Sequence, residues 1–239
     1  MAQPIVNQPD RAAMQEESPF NSVPPVPLLL VAIVVGVELT LWSAGQGFIG
    51  GAAGVGWRAA AFQDYAFAPA VMTEIFERGR GSFDLWKRFV TYAFVHINFT
   101  HALWATVLLL ALGKFVGEVF RPAAFLILFF LASILGAAIY GAVSWQNTPL
   151  LGAYPGVYGL IGAYTYLMWL RLERIGENQL KAFQLIGILL GLMLVYSVLF
   201  GSTPTWIAEV SGFLIGLFAA PLLAPGGWQA FMNRIRDRR

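Results

Sequence analysis

Gly152-Ala153-Tyr154-Pro155-Gly156-Val157-Tyr158-Gly159 opens a hydrophobic stretch that runs to Leu172. Ile207-Ala208-Glu209-Val210-Ser211-Gly212-Phe213-Leu214-Ile215-Gly216 opens another. Each is long enough to cross about 30 Å of hydrocarbon as a helix. Glycines recur three and four residues apart in both, at Gly156, Gly159 and Gly162 and at Gly212 and Gly216. Gly187 and Gly191 repeat the spacing in the stretch between them. In lipid there is little hydrophobic drive for helices to associate, so small residues that admit a neighbouring backbone mark packed faces. The pattern predicts helix packing through all seven glycines, with the helices that begin near 152 and 206 as the closest pair.

Working outward, 58% of the 239 residues are hydrophobic and 12% are charged, about half the charge fraction of a soluble domain. Six stretches qualify as spans: 25–44, 102–117, 123–144, 152–172, 183–200 and 206–224. The fold class is therefore an all-α membrane protein, a six-helix transmembrane bundle with a long first extracytoplasmic loop, 45–100. In that loop Val71, Ile75, Phe76, Phe83, Trp86, Phe89 and Val90 fall at helical spacing among polar residues, as in short helices lying in the membrane interface. Residues 1–24 are polar and acidic, without the basic start of a secretory signal, and read as a disordered cytoplasmic tail. Residues 25–224 form one membrane domain, and 225–239 form a basic cytoplasmic tail.

Six spans put both termini on one side. Arg121, Arg171, Arg174 and Lys181 flank the short loops of that side, and Arg234, Arg236, Arg238 and Arg239 crowd the C-terminus. Basic short loops stay in the cytoplasm, so both termini are expected there, with the C-terminal arginines on lipid headgroups. The net charge of +2 reflects this orientation, and nothing else supports nucleic-acid binding. There is no cysteine, which excludes thiol nucleophiles, thiolate metal sites and cysteine-linked lipids. Gly45-Gln46-Gly47-Phe48-Ile49-Gly50 has the spacing of a dinucleotide-binding loop but no preceding strand to give it meaning. Asn98-Phe99-Thr100 has the form of a glycosylation acceptor but abuts a span.

His96 and His101 are the two histidines. On one helix they would stand about 140° apart, which argues against a shared metal; no metal or cofactor is expected. Trp86-Lys87-Arg88-Phe89-Val90-Thr91-Tyr92-Ala93-Phe94-Val95-His96 precedes them. This run resembles the one that enters the second core helix of rhomboid intramembrane proteases. The stretch from Gly152 resembles that family's nucleophile motif, Gly-x-Ser-Gly followed by aromatic-Gly. The stretch from Ile207 resembles its Ala-His-x-x-Gly-x-x-x-Gly helix. The resemblance runs from about Trp86 to Gly216. It implies a rhomboid-like bundle of the bacterial inner-membrane type, with Tyr154 at the nucleophile position, Glu209 at the general-base position, and His101 and Ala105 at the oxyanion-binding positions. Ala105 replaces an asparagine there, and Pro155 replaces the glycine after the nucleophile.

A phenol with a pKa near 10 and no imidazole beside it is a poor nucleophile for an amide. Ala105 offers no donor, and Pro155 has no N–H. Ser211 lies about 200° around the helix from Glu209, and neither Ser133 nor Ser197 has a histidine on its own helix. The expected protein is a rhomboid-like pseudoprotease. Its polar pocket of His96, His101, Tyr154, Pro155, Tyr158 and Glu209 would bind transmembrane helices of client proteins in trafficking, quality control or complex assembly. An active intramembrane protease of unusual chemistry is one alternative. A small ion- or proton-coupled transporter using Glu38 and Glu209 is another, although no matching inverted halves are evident. Glu38, in the middle of the first span, calls for a hydrogen-bonding partner from a neighbouring helix.

Overall fold

A computed structural model describes residues 23–201 and 203–236, so most of the N-terminal tail expected at 1–24 and the last residues of the basic tail lie outside it. The described elements are helical. Six long helices, α1 (Pro25–Gly45), α7 (Phe99–Gly117), α8 (Pro122–Val143), α9 (Tyr154–Arg174), α10 (Gln184–Phe200) and α11 (Trp206–Leu223), occupy the six expected stretches. The 45–100 segment folds into short helices α2 (Gly51–Gly54), α3 (Trp57–Tyr65), α4 (Pro69–Met72), α5 (Phe83–Trp86) and α6 (Arg88–Thr91). Within the basic C-terminal segment, α12 (Gly227–Arg236) is a further helix. The Gly45–Gly50 run lies at the end of α1 and in the turn beyond it.

α1, α7, α8, α11 and α10 with its preceding turn are each long and apolar enough to cross a membrane. α9 is less apolar because it carries Arg171, Glu173, Arg174 and several tyrosines. It is nevertheless the helix around which α7, α8 and α11 assemble, and the residues from Pro155 to Ala163 are all buried. The helix starts follow local rules. Asn98 caps α7, its side chain accepting from the His101 N–H at 2.9 Å. α8 and α9 place Pro122 and Pro155 in their first turns, where a missing N–H costs nothing.

The glycines explain why α9 and α11 meet so closely. A Cβ on Gly212 would run into the backbone of Pro155, and one on Gly216 into the backbone of Gly159. The offset is the same in both contacts, so the two helices run parallel in register. Gly162 meets the backbone of Phe213 and Leu217, and Gly156 admits the Phe129 ring and Ser133 Oγ of α8. Gly136 on α8 lies against the Ala208 carbonyl, a close approach that repeat spacing did not flag.

Gly187 and Gly191 depart from expectation. Nothing lies within 4 Å of a Cβ built at either, because α10 stands away from the bundle. It joins the rest chiefly through the preceding turn Gln179–Phe183 and the adjoining end of α9. Spacing reports a face able to pack, and here that face has no partner among the described residues.

Gly159→Leu is expected to destabilise the protein by at least about 1–3 kcal/mol, the cost of overpacking a fitted interface. Gly187→Leu should leave stability unchanged. Thermal unfolding of both variants in detergent separates them, and equal melting temperatures would contradict the packing described.

Candidate functional site

α9 and α11 begin on the same side of the bundle, so parallel packing brings Tyr154 and Glu209, each in the first turn of its helix, to the walls of one cavity. This cavity has a volume of about 140 Å³. His101, Tyr154, Pro155, Thr203, Thr205 and Glu209 are among its lining residues. A β-bridge helps tie its rim to the 45–100 segment: Phe67 and Leu150 exchange backbone hydrogen bonds of 3.2 and 2.6 Å.

The turn leading into α9 requires a glycine. Gly152 has φ +93°, and a Cβ there would stand 2.8 Å from His101 Cε1 and 3.1 Å from His96 Cδ2. A side chain at 152 would therefore adopt a left-handed backbone and displace both rings. The 140° separation of the two histidines applies only to a continuous helix. α7 begins at Phe99, so His96 sits in the preceding loop, and its ring centroid lies 5.4 Å from that of His101. Among the described residues no group of three or more metal-ligating side chains converges.

His96 is buried and does not line the cavity. Its Nε2 accepts the Ala153 N–H at 3.3 Å, so the ring is neutral with its proton on Nδ1. Burial, reinforced by the neighbouring His101, pulls its pKa down to about 3. The His101 ring packs on Tyr154 with centroids 4.6 Å apart. The Tyr154 hydroxyl donates to the His101 carbonyl at 3.0 Å. Tyr158 is buried behind the cavity, and its hydroxyl is a close electrostatic neighbour of the Glu209 carboxyl. Ala105 is buried in the hydrophobic core and presents no polar group.

Two of the backbone donors beside Tyr154 are occupied. The Gly152 N–H is bonded to the Tyr92 carbonyl at 2.9 Å, the Ala153 N–H to His96, and Pro155 has none. Ser133 and Ser197 both lie outside the cavity. Ser133 is fully buried, donating to the Phe129 carbonyl of its own helix at 2.9 Å. Ser197 lies on α10 and faces the larger cavity described below.

Glu38 has a partner that the sequence did not reveal. Arg58 of α3 forks onto both of its carboxylate oxygens, at 2.7 and 3.0 Å, and also donates to the His96 carbonyl at 2.8 Å. One guanidinium thus joins the middle of α1 to the loop that carries His96. The partner comes from the long loop rather than from another span, and the only available clue was that a carboxylate at that depth needs one.

A second cavity, of about 610 Å³, separates α10 from α11. Leu190, Leu194 and Phe200 of α10 face Trp206 and Glu209 of α11 across it. Thr203, Thr205 and Glu209 line both cavities, so the carboxylate stands where they meet. Loose packing of α10 creates this space, which hydropathy cannot foretell.

A bundle of membrane-length helices with a polar cavity at the starts of two parallel helices defines a class of integral membrane protein with an internal site. Residues 83–226, more than half of the chain, match the family described as Rhomboid domain, and the chain belongs to the rhomboid family. It is 28% identical over 156 residues to "Rhomboid-like protease 3" of Toxoplasma gondii. That match covers 64% of this chain and 53% of the relative, so the chain spans about half the relative's length.

Glu38→Ala is expected to cost at least about 2 kcal/mol by stranding the half-buried Arg58 guanidinium. Replacing both partners by methionine should recover part of the loss. A double-mutant cycle on thermal stability that finds the two changes additive would show the pair to be uncoupled.

Proposed function

We propose that this rhomboid-family protein is proteolytically inactive and binds transmembrane segments of client membrane proteins. The observation that carries the reading is the Tyr154 hydroxyl, which is spent on the His101 carbonyl while the Gly152 and Ala153 amides are engaged with Tyr92 and His96. Hydrolysis of an amide needs an activated nucleophile and free donors for the oxyanion. Glu209 has the Tyr158 phenol rather than an imidazole as its near neighbour, and Ala105 lies in the apolar core. The 610 Å³ cavity between α10 and α11 gives a client helix a place to enter from the side. The outcome would be escort, retention or assembly of the client.

The relative's name supports the rival reading of an active protease, and cleavage assays separate the two. An ion path fits less well, because Arg58 neutralises Glu38. The protein is placed in a bacterial inner membrane with both termini cytoplasmic, supported by the basic residues of the short loops and C-terminal segment. The basic C-terminus would rest against lipid headgroups.

The wild type should give no cleavage of a model transmembrane substrate and no labelling by a serine-reactive probe. Tyr154→Ser with Glu209→His should remain inefficient, because each missing oxyanion donor is worth about 2.7–4 kcal/mol in the transition state. Adding Ala105→Asn and Pro155→Gly should raise the rate further. Turnover by the wild type would overturn the reading, and robust turnover by the double variant would show that the other two replacements matter little. A C-terminal reporter found outside the cytoplasm would refute the orientation.

A further inference from the structure

We propose that Glu209 receives a cationic side chain, a lysine ammonium or an arginine guanidinium, carried by the client helix that enters between α10 and α11. This inference rests on the client-binding reading and specifies which clients would be preferred. The protein holds two carboxylates at span positions and treats them differently. Glu38 is buried and gripped by Arg58. Glu209, partly buried, makes no ion pair with any described Lys, Arg or His. Its near protein neighbour is the uncharged Tyr158 hydroxyl.

A carboxylate at this depth is costly unless it is matched, and so is a basic residue within a client's span. Their meeting offsets both costs. Glu209 is the one formally charged residue among the described residues lining the 610 Å³ cavity, and the Tyr196 and Trp206 rings on the same cavity add faces that attract cations. The cavity follows α10 from Leu190 to Phe200, about 15 Å of helix. Leu190, Met193, Leu194 and Phe200 make most of that wall apolar. A long apolar wall ending at one carboxylate complements an apolar helix bearing one positive charge better than it complements a lipid headgroup.

The test uses the full chain in phosphatidylcholine nanodiscs and synthetic single-span peptides that differ at one position, level with the first turn of α11. That position carries Lys, Arg, Met or Glu, and binding is read by energy transfer between labels. The Lys and Arg peptides should bind at least about tenfold more tightly than the Met peptide, and the Glu peptide more weakly than Met. Glu209→Gln should erase the preference, so that the Lys, Arg and Met peptides bind this variant alike. Should that variant fail to fold, the ranking of the four peptides on the wild type decides alone.

Equal binding of all four peptides would overturn the inference while sparing the client-binding reading. Absence of binding by any peptide would overturn both. A preference that disappears when phosphatidylethanolamine replaces phosphatidylcholine would assign Glu209 to a lipid ammonium and overturn the inference.

Discussion

The backbone-to-backbone approach of α9 and α11 is the constraint on which the rest of this structure depends. Pro155 against Gly212 and Gly159 against Gly216 leave no room for side chains and fix a parallel register. That register sets Tyr154 and Glu209 on the walls of one cavity. Around this pair, α8 supplies Phe129, Ala132 and Ser133 to fill the grooves beside Gly156 and Gly159. Without a hydrophobic drive between helices in lipid, such close contact is what holds a bundle together.

A second framework keeps the approach to α9 in place. Arg58 connects Glu38 to the His96 carbonyl, His96 accepts the Ala153 N–H, and the Tyr92 carbonyl accepts the Gly152 N–H. These contacts link α1, the long loop and the start of α9 through groups that would otherwise lie buried and unpaired, at a cost of about 1–3 kcal/mol each. The Gly152 and Ala153 amides that lead into α9 are thus both engaged.

Much of the fold was legible because its determinants are local. Span lengths follow from hydropathy, and the α9–α11 contact follows from Gly159, Gly162, Gly212 and Gly216. The candidate site was legible only in part. His101, Tyr154, Pro155 and Glu209 line the smaller cavity, whereas His96 and Tyr158 are buried behind it. Linear spacing does not say which side of a turn a ring occupies. Arg58 was hidden because its partner lies in a different element and no local pattern marks it. Gly187 and Gly191 carry the same signal as the packed glycines yet face open space, because spacing cannot tell whether a partner helix is present. The gap beside α10 is a property of tertiary packing alone.

The central claim is that a client helix enters the space beside α10 and leaves intact. A photo-crosslinking amino acid at Leu194, which lines that space, tests it directly in membranes containing a single-span reporter tagged at both ends. The account predicts an adduct carrying both tags, stable over hours of incubation before illumination. An adduct that retains only one tag would show that the reporter is cut, and crosslinking to lipid alone would show that no helix enters.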